Sequence, residues 1–418
     1  MKKYAVLTRE PRCFLGSFDF SWEQRKAIDI ADYSKGNGYS KGDLTDVGTP
    51  IILYGRLYTK YQFAISEVDT FAVPRNGAVY SQGNEVIVPA SGETAEDIAR
   101  ASAVEKSGVL LGGDLNILKP FDFINPLFLA LAISNGEPQK ELAKKAQGKS
   151  VVHIHNTDIQ EVTIAYPSNT EQDRIVSVFR QLDNLITLHQ RKFEKLTNVK
   201  KSMLEKMFPQ NGSSYPEIRF KGFTDPWEQH KLGELVDRVV RKNINNESTL
   251  PLTISAQYGL VDQITYFNNR VASRDVSNYY LVLNGEFAYN KSTSDGYPFG
   301  AVKRLDLYEK GVLSTLYIVF APKKEQQIDS DYLTVFFDTD RWHKGVAERA
   351  AEGARNHGLL NISAEDFFDI DLSVPKDIVE QKQIGAFIRQ LDHLITLHQR
   401  ELEKLQNIKK SMLEKMFV

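Results

Sequence analysis

The chain has 418 residues, and its 52 Lys and Arg residues nearly balance its 54 Asp and Glu residues, for a formal net charge of −2. Hydrophobic residues at 42% and charged residues at 25% are typical of globular domains, so these values exclude wholesale disorder and a collagen-like repeat. At about 100–200 residues per domain the length predicts two or three domains, and a single cysteine, Cys13, excludes a disulfide framework and a multi-cysteine zinc site.

Mixed α and β elements are predicted ahead of a first long helix. Residues 48–65 (GTPIILYGRLYTKYQFAI) alternate apolar and polar side chains and are rich in β-branched and aromatic residues, which predicts strand–turn–strand. Residues 84–90 (NEVIVPA) predict another short strand, and residues 125–135 (NPLFLALAISN) predict a helix.

Residues 171–208 predict a long helix, because they contain no proline and their apolar positions recur in alternating steps of four and three, the seam of a coiled coil. A core helix with a wider apolar stripe is the alternative. Pro209 ends the helix, and residues 209–217 (PQNGSSYPE) predict a turn-rich linker. The seam residues are Ile175, Phe179, Leu182, Ile186, His189 and Leu196.

The second half of the chain predicts the same kinds of element. Residues 279–290 and 311–322 read as strands, residues 330–351 as a helix, and residues 380–417 as a second long helix. Its seam residues are Ile384, Ile388, Leu391, Ile395, His398 and Leu405.

An internal duplication organises the chain. The two long helices match at a constant offset of 209, with 27 of 38 aligned positions identical, and WEQRK at 22–26 matches WEQHK at 227–231. The regions between these anchors are largely dissimilar. We therefore predict domains at 1–170 and 218–379, long helices at 171–208 and 380–418, a linker at 209–217, and two matching seams that pack against each other.

Three features suggest chemistry, and each has a simpler explanation. His189 and His398 occupy equivalent seam positions, where a polar layer fixes register more often than it binds a metal. His153 and His155 alternate in one segment, but two ligands lack a third. Residues 143–150 (AKKAQGKS) resemble a loosened phosphate loop, but a helix precedes them and a strand follows, the reverse of a phosphate site. We expect no metal, no cofactor and no catalytic residue.

Several phrases resemble the specificity subunits of type I restriction–modification systems. They are PEIRFKGFTDPWEQHKLGEL at 216–235, GTPIILYGRLYT, NGEFAYNKSTSDGYPFGAVKR, and the EQ…QLD…H…ML.K.F pattern of both helices. The first copy departs at its start, where SFDFSWEQRKAIDI replaces the fuller phrase. The resemblance implies an α/β (α+β) protein, with two mixed α/β target-recognition domains separated by two long helices packed as an antiparallel coiled coil.

Two strand phrases supply candidate DNA-binding residues, because they interleave basic, amide and aromatic side chains. Arg and Lys bind guanine or phosphate and Asn binds adenine. A solvated hairpin is the alternative for each residue. The candidates are Arg56, Tyr58, Lys60 and Tyr61 in the first domain and Asn290, Lys291, Ser292, Tyr297, Lys303 and Arg304 in the second.

The resemblance implies a non-catalytic subunit that carries DNA specificity for its partners. These would be double-stranded DNA, two methyltransferase subunits and two restriction–translocase subunits. The alternative is a coiled-coil scaffold whose variable domains bind protein, and a nuclease with scattered carboxylates is more distant. Two unlike domains on a matched frame favour an asymmetric, two-part DNA target. Because the chain lacks an apolar leader and any apolar stretch of about 18 residues, we expect a cytoplasmic protein with no membrane partner.

Overall fold

A computed structural model of the chain describes residues 22–146, 148, 151–210, 212–255, 258–294, 296–350 and 358–417. Cys13 and residues 147, 149 and 150 of the phosphate-loop-like segment lie outside the described residues. The chain divides into two compact units, Met1–His189 with Arg400–Val418, and Gln190–Gln399. Both divisions fall inside a long helix, so each unit holds one α/β domain, the start of its own long helix and the end of the other.

The elements of the first domain lead directly into the first long helix. In chain order they are β1 (Glu23–Lys26), a 3-10 turn (Ala27–Asp29), β2 (Ala31–Lys35), a 3-10 turn (Lys41–Asp43), β3 (Leu44–Thr45), β4 (Thr49–Ile52), α1 (Arg56–Thr59), β5 (Ala64–Ile65), β6 (Phe71–Ala72), β7 (Glu85–Pro89), β8 (Ser91–Gly92), α2 (Ala95–Ile98), β9 (Ser102–Val104), β10 (Leu110–Leu111), β11 (Leu115–Pro120), α3 (Pro126–Ile133), α4 (Gly136–Lys145), β12 (Val152–His153), α5 (Asn156–Gln160), β13 (Thr163–Tyr166) and α6 (Asn169–Lys206).

The main sheet of the first unit has the order β2-β11-β7-β9-β5. Strand β11 pairs antiparallel with β7, with Ile117 opposite Ile87, while β5 joins the edge in parallel to β9. A smaller sheet has the order β10-β4-β6-β3. Helix α3 is apolar on every side and lies buried in the core, where each fully covered Leu, Ile or Phe contributes about 1.5–3 kcal/mol.

The elements of the second domain lead directly into the second long helix. In chain order they are β14 (Glu228–Lys231), α7 (Leu232–Leu235), β15 (Val236–Arg238), β16 (Leu252–Ser255), β17 (Gly259–Asp262), α8 (Gln263–Phe267), β18 (Tyr280–Leu283), β19 (Phe287–Asn290), β20 (Ala301–Arg304), β21 (Lys310–Leu313), β22 (Ile318–Pro322), α9 (Ser330–Phe337), α10 (His343–Arg349), α11 (Ala364–Phe368), β23 (Asp371–Val374) and α12 (Ile378–Met416).

The main sheet of the second unit has the order β15-β22-β19-β20. In both units the strand of the WEQ repeat pairs antiparallel with the strand that precedes the long helix. In the first unit Glu23 lies opposite Tyr166, and in the second Glu228 lies opposite Val374. The repeated motif therefore closes the domain beside the point where its helix begins.

Four of the predicted elements differ from those in the structure. The strand predicted at 279–290 is the two strands β18 and β19, and the one at 311–322 is β21 and β22; β18 pairs with β21, whereas β19 and β22 lie in the main sheet. Residues 48–65 form β4, the helical turn α1 and β5, and the two strands lie in different sheets, so they are not a hairpin. The helix predicted at 330–351 is two helices, α9 and α10, separated at 338–342. The mixed α/β class and both long helices are confirmed, and each helix begins two residues earlier than predicted.

The burial of α6 and α12 follows the seam spacing. Every seam residue that the sequence analysis names is buried or half-buried, including His189 and His398. Most residues between the later seam positions of α6 are exposed, namely Thr187, Leu188, Arg191, Lys192, Glu194 and Lys195. This periodic burial is that of a 3.5-residue repeat. Within the described ranges, none of the helices combines the length and apolar character of a membrane span.

Candidate nucleic-acid interface and helix junctions

The basic candidates of the first domain lie on and after α1 and are held by one carboxylate. Arg56 donates from one guanidinium nitrogen to Asp69 at 2.6 Å and from the other to Gln62 Oε1 and the Glu67 carbonyl oxygen, at 3.2 and 2.9 Å. Lys60 reaches the second Asp69 oxygen at 2.6 Å. The bonds from Lys60 and Arg56 hold the pKa of Asp69 well below its usual range. Asp69 therefore stays charged and compensates one of the two cations.

The aromatic candidates of the first domain are anchored through their hydroxyl groups. Tyr58 donates to the Ser91 carbonyl oxygen at 2.5 Å, and its burial raises the pKa of the phenol. Tyr61 donates to the Ala101 carbonyl oxygen at 3.3 Å, and the Arg100 guanidinium carbon lies 5.7 Å from the centre of its ring. The Tyr61 ring remains 37% exposed, so it is the more accessible of the two.

Four candidates lie at the end of β19 or in the connection between it and β20. Asn290 accepts a bond from the Ser292 N–H at 3.0 Å through its side-chain oxygen. Lys291 donates to the Ile362 carbonyl oxygen at 3.3 Å, and Tyr297 is half-buried in the connection. Ser292 is exposed. The Asn290 and Lys291 side chains therefore bind backbone groups of their own domain in this conformation.

Lys303 and Arg304 on β20 lie in ion pairs with the second domain's own carboxylates. Lys303 Nζ is 2.7 Å from Asp338, which Lys200 of α6 also contacts at 3.2 Å. Burial alone would raise the pKa of Asp338, but Lys303 and Lys200 outweigh it and hold the pKa below its usual value. Arg304 pairs with Asp331 at 2.8 Å. Both β20 cations therefore stabilise the fold in this conformation, and their role in DNA binding stays a prediction.

A further match between the domains was missed at the sequence level. Tyr54-Gly55, which follows β4, corresponds to Tyr258-Gly259, which follows β16, at an offset of 204. Asn125 and Asp329, the capping residues of α3 and α9, share this offset. Alignment at this offset places the α1 region of the first domain opposite β17 and α8 of the second, although the local structures differ, since Gly55 precedes a helical turn and Gly259 begins a strand.

The histidines considered as metal ligands in the first domain have other roles. His153 Nδ1 lies 3.1 Å from the Ser91 hydroxyl. His155 occupies the capping position of α5. In the described part of the chain, no group of three or more His, Cys, Asp or Glu side chains is arranged to hold a metal ion.

A buried glutamine joins each domain to the start of its helix. In the first unit, Gln172 accepts a bond from the Asn125 N–H at 2.8 Å and donates to the carbonyl oxygens of Phe123 and Pro167 at 3.1 and 2.9 Å. Its side chain has no exposed surface, and these bonds use the amide oxygen and both hydrogens. The helix α6 is therefore fixed to the capping residue of α3.

The second unit repeats this junction 209 residues later. Gln381 accepts from the Asp329 N–H at 2.8 Å and donates to the carbonyl oxygens of Gln327 and Pro375 at 3.0 and 2.8 Å. The Glu-Gln pair of the sequence repeat thus has a structural explanation, because its glutamine makes the same three bonds in two domains of different sequence.

An aromatic contact joins the end of α12 to the first domain. The Phe417 ring lies 6.2 Å from Trp22 and 5.7 Å from Phe128 of α3, measured between ring centres. The Trp22 ring nitrogen also donates to Glu171, beside the start of α6, at 3.4 Å. Gly136 is required here, since a β-carbon on it would lie 1.4 Å from the Phe417 carbonyl oxygen.

The end of α6 makes the equivalent contact in the second unit. The Phe208 ring centre lies 5.8 Å from that of Trp227 and 5.7 Å from that of Tyr332 on α9. Here the start of α12 is held by a bidentate ion pair, in which Arg219 donates to both oxygens of the buried Glu380 at 2.7 and 2.8 Å. Residues of the two helix repeats therefore dock in the same way on two different domains.

A repeated ion pair gives the direction of the helices within each unit. In the first unit Lys409 of α12 donates to Asp183 of α6 at 2.5 Å, and in the second Lys200 of α6 pairs with Asp392 of α12 at 2.7 Å. In the first unit Asp183 follows Glu171 along α6, whereas Lys409 precedes Phe417 along α12. The second unit has the same order, with Asp392 after Glu380 and Lys200 before Phe208. Within each unit the start of one long helix therefore runs antiparallel to the end of the other, as predicted.

The outer surface of the helices carries exposed leucines at equivalent positions. Leu185 and Leu188 of α6 are 43% and 45% exposed, and Leu394 and Leu397 of α12 are 40% and 45% exposed. Each pair lies one turn apart, so the two side chains share one face of their helix. These leucines belong to neither seam.

Comparisons with known proteins agree with this organisation. The family model described as type I restriction modification DNA specificity domain matches residues 21–198 and 225–407. The type I restriction enzyme MjaVIII specificity subunit of Methanocaldococcus jannaschii is 22% identical over 356 residues, which cover 81% of this chain and 79% of the relative. The crystal structure of a type I restriction–modification system S subunit from M. genitalium has a TM-score of 0.62 and 15% identity, over 98% of this chain and 99% of that one, which shows a shared fold. With both halves of the chain matched by the family model, this protein belongs to the type I restriction–modification DNA specificity family.

Proposed function

We propose that this chain is the non-catalytic specificity subunit of a type I restriction–modification complex and reads an asymmetric, two-part sequence in double-stranded DNA. The single observation that carries the proposal is that one helix junction is built twice, through Gln172 and Gln381, on two domains with different sheets. A repeated frame favours two similar placements on DNA, and unlike domains present different side chains to base edges. The two half-sites therefore differ.

The equivalent leucines support docking of two copies of one methyltransferase subunit. Leu185 and Leu188 on α6 match Leu394 and Leu397 on α12, and all four are exposed apolar side chains at equivalent positions of the two helices. Apolar groups left exposed in this way favour a protein partner, because removing their surface from water stabilises the complex by about 25 cal/mol per Å². We propose that each pair contributes to one docking site and that restriction–translocase subunits complete the assembly.

Methylation mapping tests the DNA function. Genomic DNA from cells with and without this chain is sequenced for modified bases, and we expect a split, non-palindromic motif only when the chain is present. Exchanging residues 22–167 with 227–375 should preserve assembly and reverse the order of the half-sites. A continuous or palindromic motif, or a methylation pattern independent of the chain, would contradict the proposal.

A matched set of substitutions tests the docking surface. Leu185→Glu with Leu188→Glu should weaken binding of one methyltransferase copy, and Leu394→Glu with Leu397→Glu that of the other. Leu316→Glu, a change at a leucine that is 62% exposed elsewhere in the second unit, is the control and should leave binding unchanged. Mass measurement of the purified assembly counts the bound copies. Full occupancy in a protein carrying all four changes would show that these leucines are not the docking site.

A further inference from the structure

An exposed loop of the second domain combines aromatic, amide and basic side chains. It comprises residues 263–272 (QITYFNNRVA), which begin with α8. Tyr266, Phe267 and Val271 are 48%, 51% and 66% exposed, and all residues from 264 to 271 belong to the exposed class. Apolar side chains of this size are ordinarily turned inward, so a run of them on one loop indicates a binding surface.

The base of this loop is closed by side-chain bonds. Gln263 accepts from the N–H groups of Val271 and Ala272 at 3.2 and 2.6 Å, which ties the last residues of the loop to its first. Asp262 accepts from the Ile264 N–H at 2.9 Å and from the Thr265 hydroxyl at 2.6 Å. The loop is therefore ordered at its base and presents residues 266–270 outward.

The tip of the loop has a defined arrangement. The Tyr266 and Phe267 rings meet edge to face, with their centres 5.0 Å apart. Asn268 ends α8 in the left-handed conformation at φ 50°, which turns the backbone toward Asn269 and Arg270. The Arg270 guanidinium donates to the Ala272 and Ser273 carbonyl oxygens, at 3.3 and 3.0 Å. Neutral carbonyls position the group and leave its charge uncompensated.

We propose that this loop is a base-reading element of the second recognition domain, in which Tyr266 and Phe267 contact base edges and Arg270 contacts the phosphate backbone. This inference rests on the proposed DNA function and assigns it to residues that sequence analysis did not single out. Asp262 and Asp275 flank residues 263–274, which contain Arg270 and Arg274, so the segment is neutral overall and its positive charge lies on the outward-facing tip at Arg270, where a phosphate would be bound. Aromatic faces, paired asparagines and an arginine are the groups that read bases and phosphates.

The position of the loop in the sequence supports the same assignment. It follows the Tyr258-Gly259 pair, as α1 follows Tyr54-Gly55 in the first domain. In the first domain this region presents Tyr61 and two cations, Arg56 and Lys60, that pair with Asp69. In the second domain it presents the Tyr266–Phe267 pair and Arg270, which is bonded to carbonyl oxygens. Two domains that read different bases are expected to differ at the place where they touch DNA.

Selection from a pool of randomised DNA duplexes tests the proposal. The full-length chain, purified with its methyltransferase partner, is incubated with the pool, and the retained duplexes are sequenced. Wild-type protein should enrich two half-sites. The Tyr266→Ala, Phe267→Ala double variant should lower the enrichment of one half-site at least about tenfold, the discrimination of one good base contact, and leave the other unchanged. Arg270→Ala should lower retention of all duplexes and flatten its salt dependence.

Controls separate the possible failures. Tyr215→Ala removes a tyrosine that is 52% exposed elsewhere in the second unit and should behave as wild type. Because the loop aromatics are exposed, their variants should unfold at the wild-type temperature, and Phe267→Leu provides a milder second variant. If the Tyr266→Ala, Phe267→Ala double variant and the Arg270→Ala variant both enrich the wild-type half-sites to the wild-type degree, the loop assignment is overturned and the proposed function stands. Intact half-sites with loss of the methyltransferase would make the loop a protein interface, which also overturns it. Absence of half-sites in wild type would overturn the proposed function itself.

Discussion

The substitution Phe417→Ala should destabilise the first domain, although this residue lies almost four hundred positions from Trp22 in sequence. Phe417 is 4% exposed and meets the rings of Trp22 and Phe128. Truncation of a buried phenylalanine costs about 3–5 kcal/mol, and aromatic pairs add about 0.5–1.5 kcal/mol beyond buried area. Phe417 follows the last residue of α12, and the end of this helix can partly relax into the space that the ring leaves. We therefore expect the lower end of this range, a loss of about 3 kcal/mol in the free energy of unfolding of the first unit.

Hydrogen exchange followed by mass spectrometry measures this loss locally. Amides of α3 in the first unit and of α9 in the second act as the two reporters. A loss of about 3 kcal/mol corresponds to about 150-fold faster exchange where exchange requires unfolding of the unit. Phe417→Ala should accelerate exchange in α3, and its counterpart Phe208→Ala should accelerate exchange in α9. Unchanged exchange in α3 of the Phe417 variant would refute the docking of α12 on the first domain.

Three further substitutions test individual contacts. Asp338→Asn should destabilise the second unit by about 3 kcal/mol, because the half-buried Lys200 and Lys303 lose a charged partner. Since the pKa of Asp338 is lowered on folding, the difference from wild type should be constant above about pH 5 and shrink as the pH falls below about 4. A pH-independent difference in urea unfolding would contradict this. Gly136→Ala should destabilise the first unit more than Gly212→Ala does the second, because both residues have positive φ but only the first faces a backbone clash, with Phe417; equal melting shifts would contradict the clash. Gln172→Leu should cost about 2–4 kcal/mol, since it leaves one buried and two half-buried backbone groups without this partner. Thermal unfolding with the wild-type midpoint would exclude that role.

The long helices and the duplication could be predicted because their signals are local and periodic. Alternating steps of four and three fix which residues lie on the seam, and the burial of Ile175 and Ile384 follows from that pattern alone. The two-domain frame follows from the repeat. Helix α3 could be predicted for a similar reason, since a run of apolar residues after Asn125-Pro126 carries both a capping residue and a favourable first position.

Strand pairing could not be predicted from the same patterns. The alternation in residues 48–65 is correct for β4 and β5, but each strand pairs with a partner distant in sequence, and α1 fills the space that a hairpin turn would occupy. The helix predicted at 330–351 breaks beside Asp338, whose carboxylate is held by Lys200 and Lys303. Neither contact has a local signature.

The candidate DNA-binding residues illustrate the same limit. Composition identified phrases rich in arginine, lysine and tyrosine, but it could not show that Arg56 pairs with Asp69 or Arg304 with Asp331. The loop that carries Tyr266 and Phe267 could not be found by comparing the two domains, because after the shared Tyr-Gly pair only Phe267 matches its first-domain counterpart, Phe63. Exposure of a side chain is a property of the folded chain, and sequence pattern gives it only indirectly.

The identity of the two helix ends has a consequence for folding. Residues 200–208 and 409–417 have the same sequence, KKSMLEKMF, yet the first docks beside Trp227 and the second beside Trp22. Because the two helix ends are identical, neither has an intrinsic preference for one of the two docking sites. Which end binds at which site therefore depends on the effective concentration of each end near each site, and for residues 200–208 the linker 209–217 sets that concentration at the site beside Trp227. An end from another copy of the chain competes with equal contacts. Refolding at high protein concentration should therefore produce domain-swapped dimers whose contacts are all native, and dilution before refolding should suppress them.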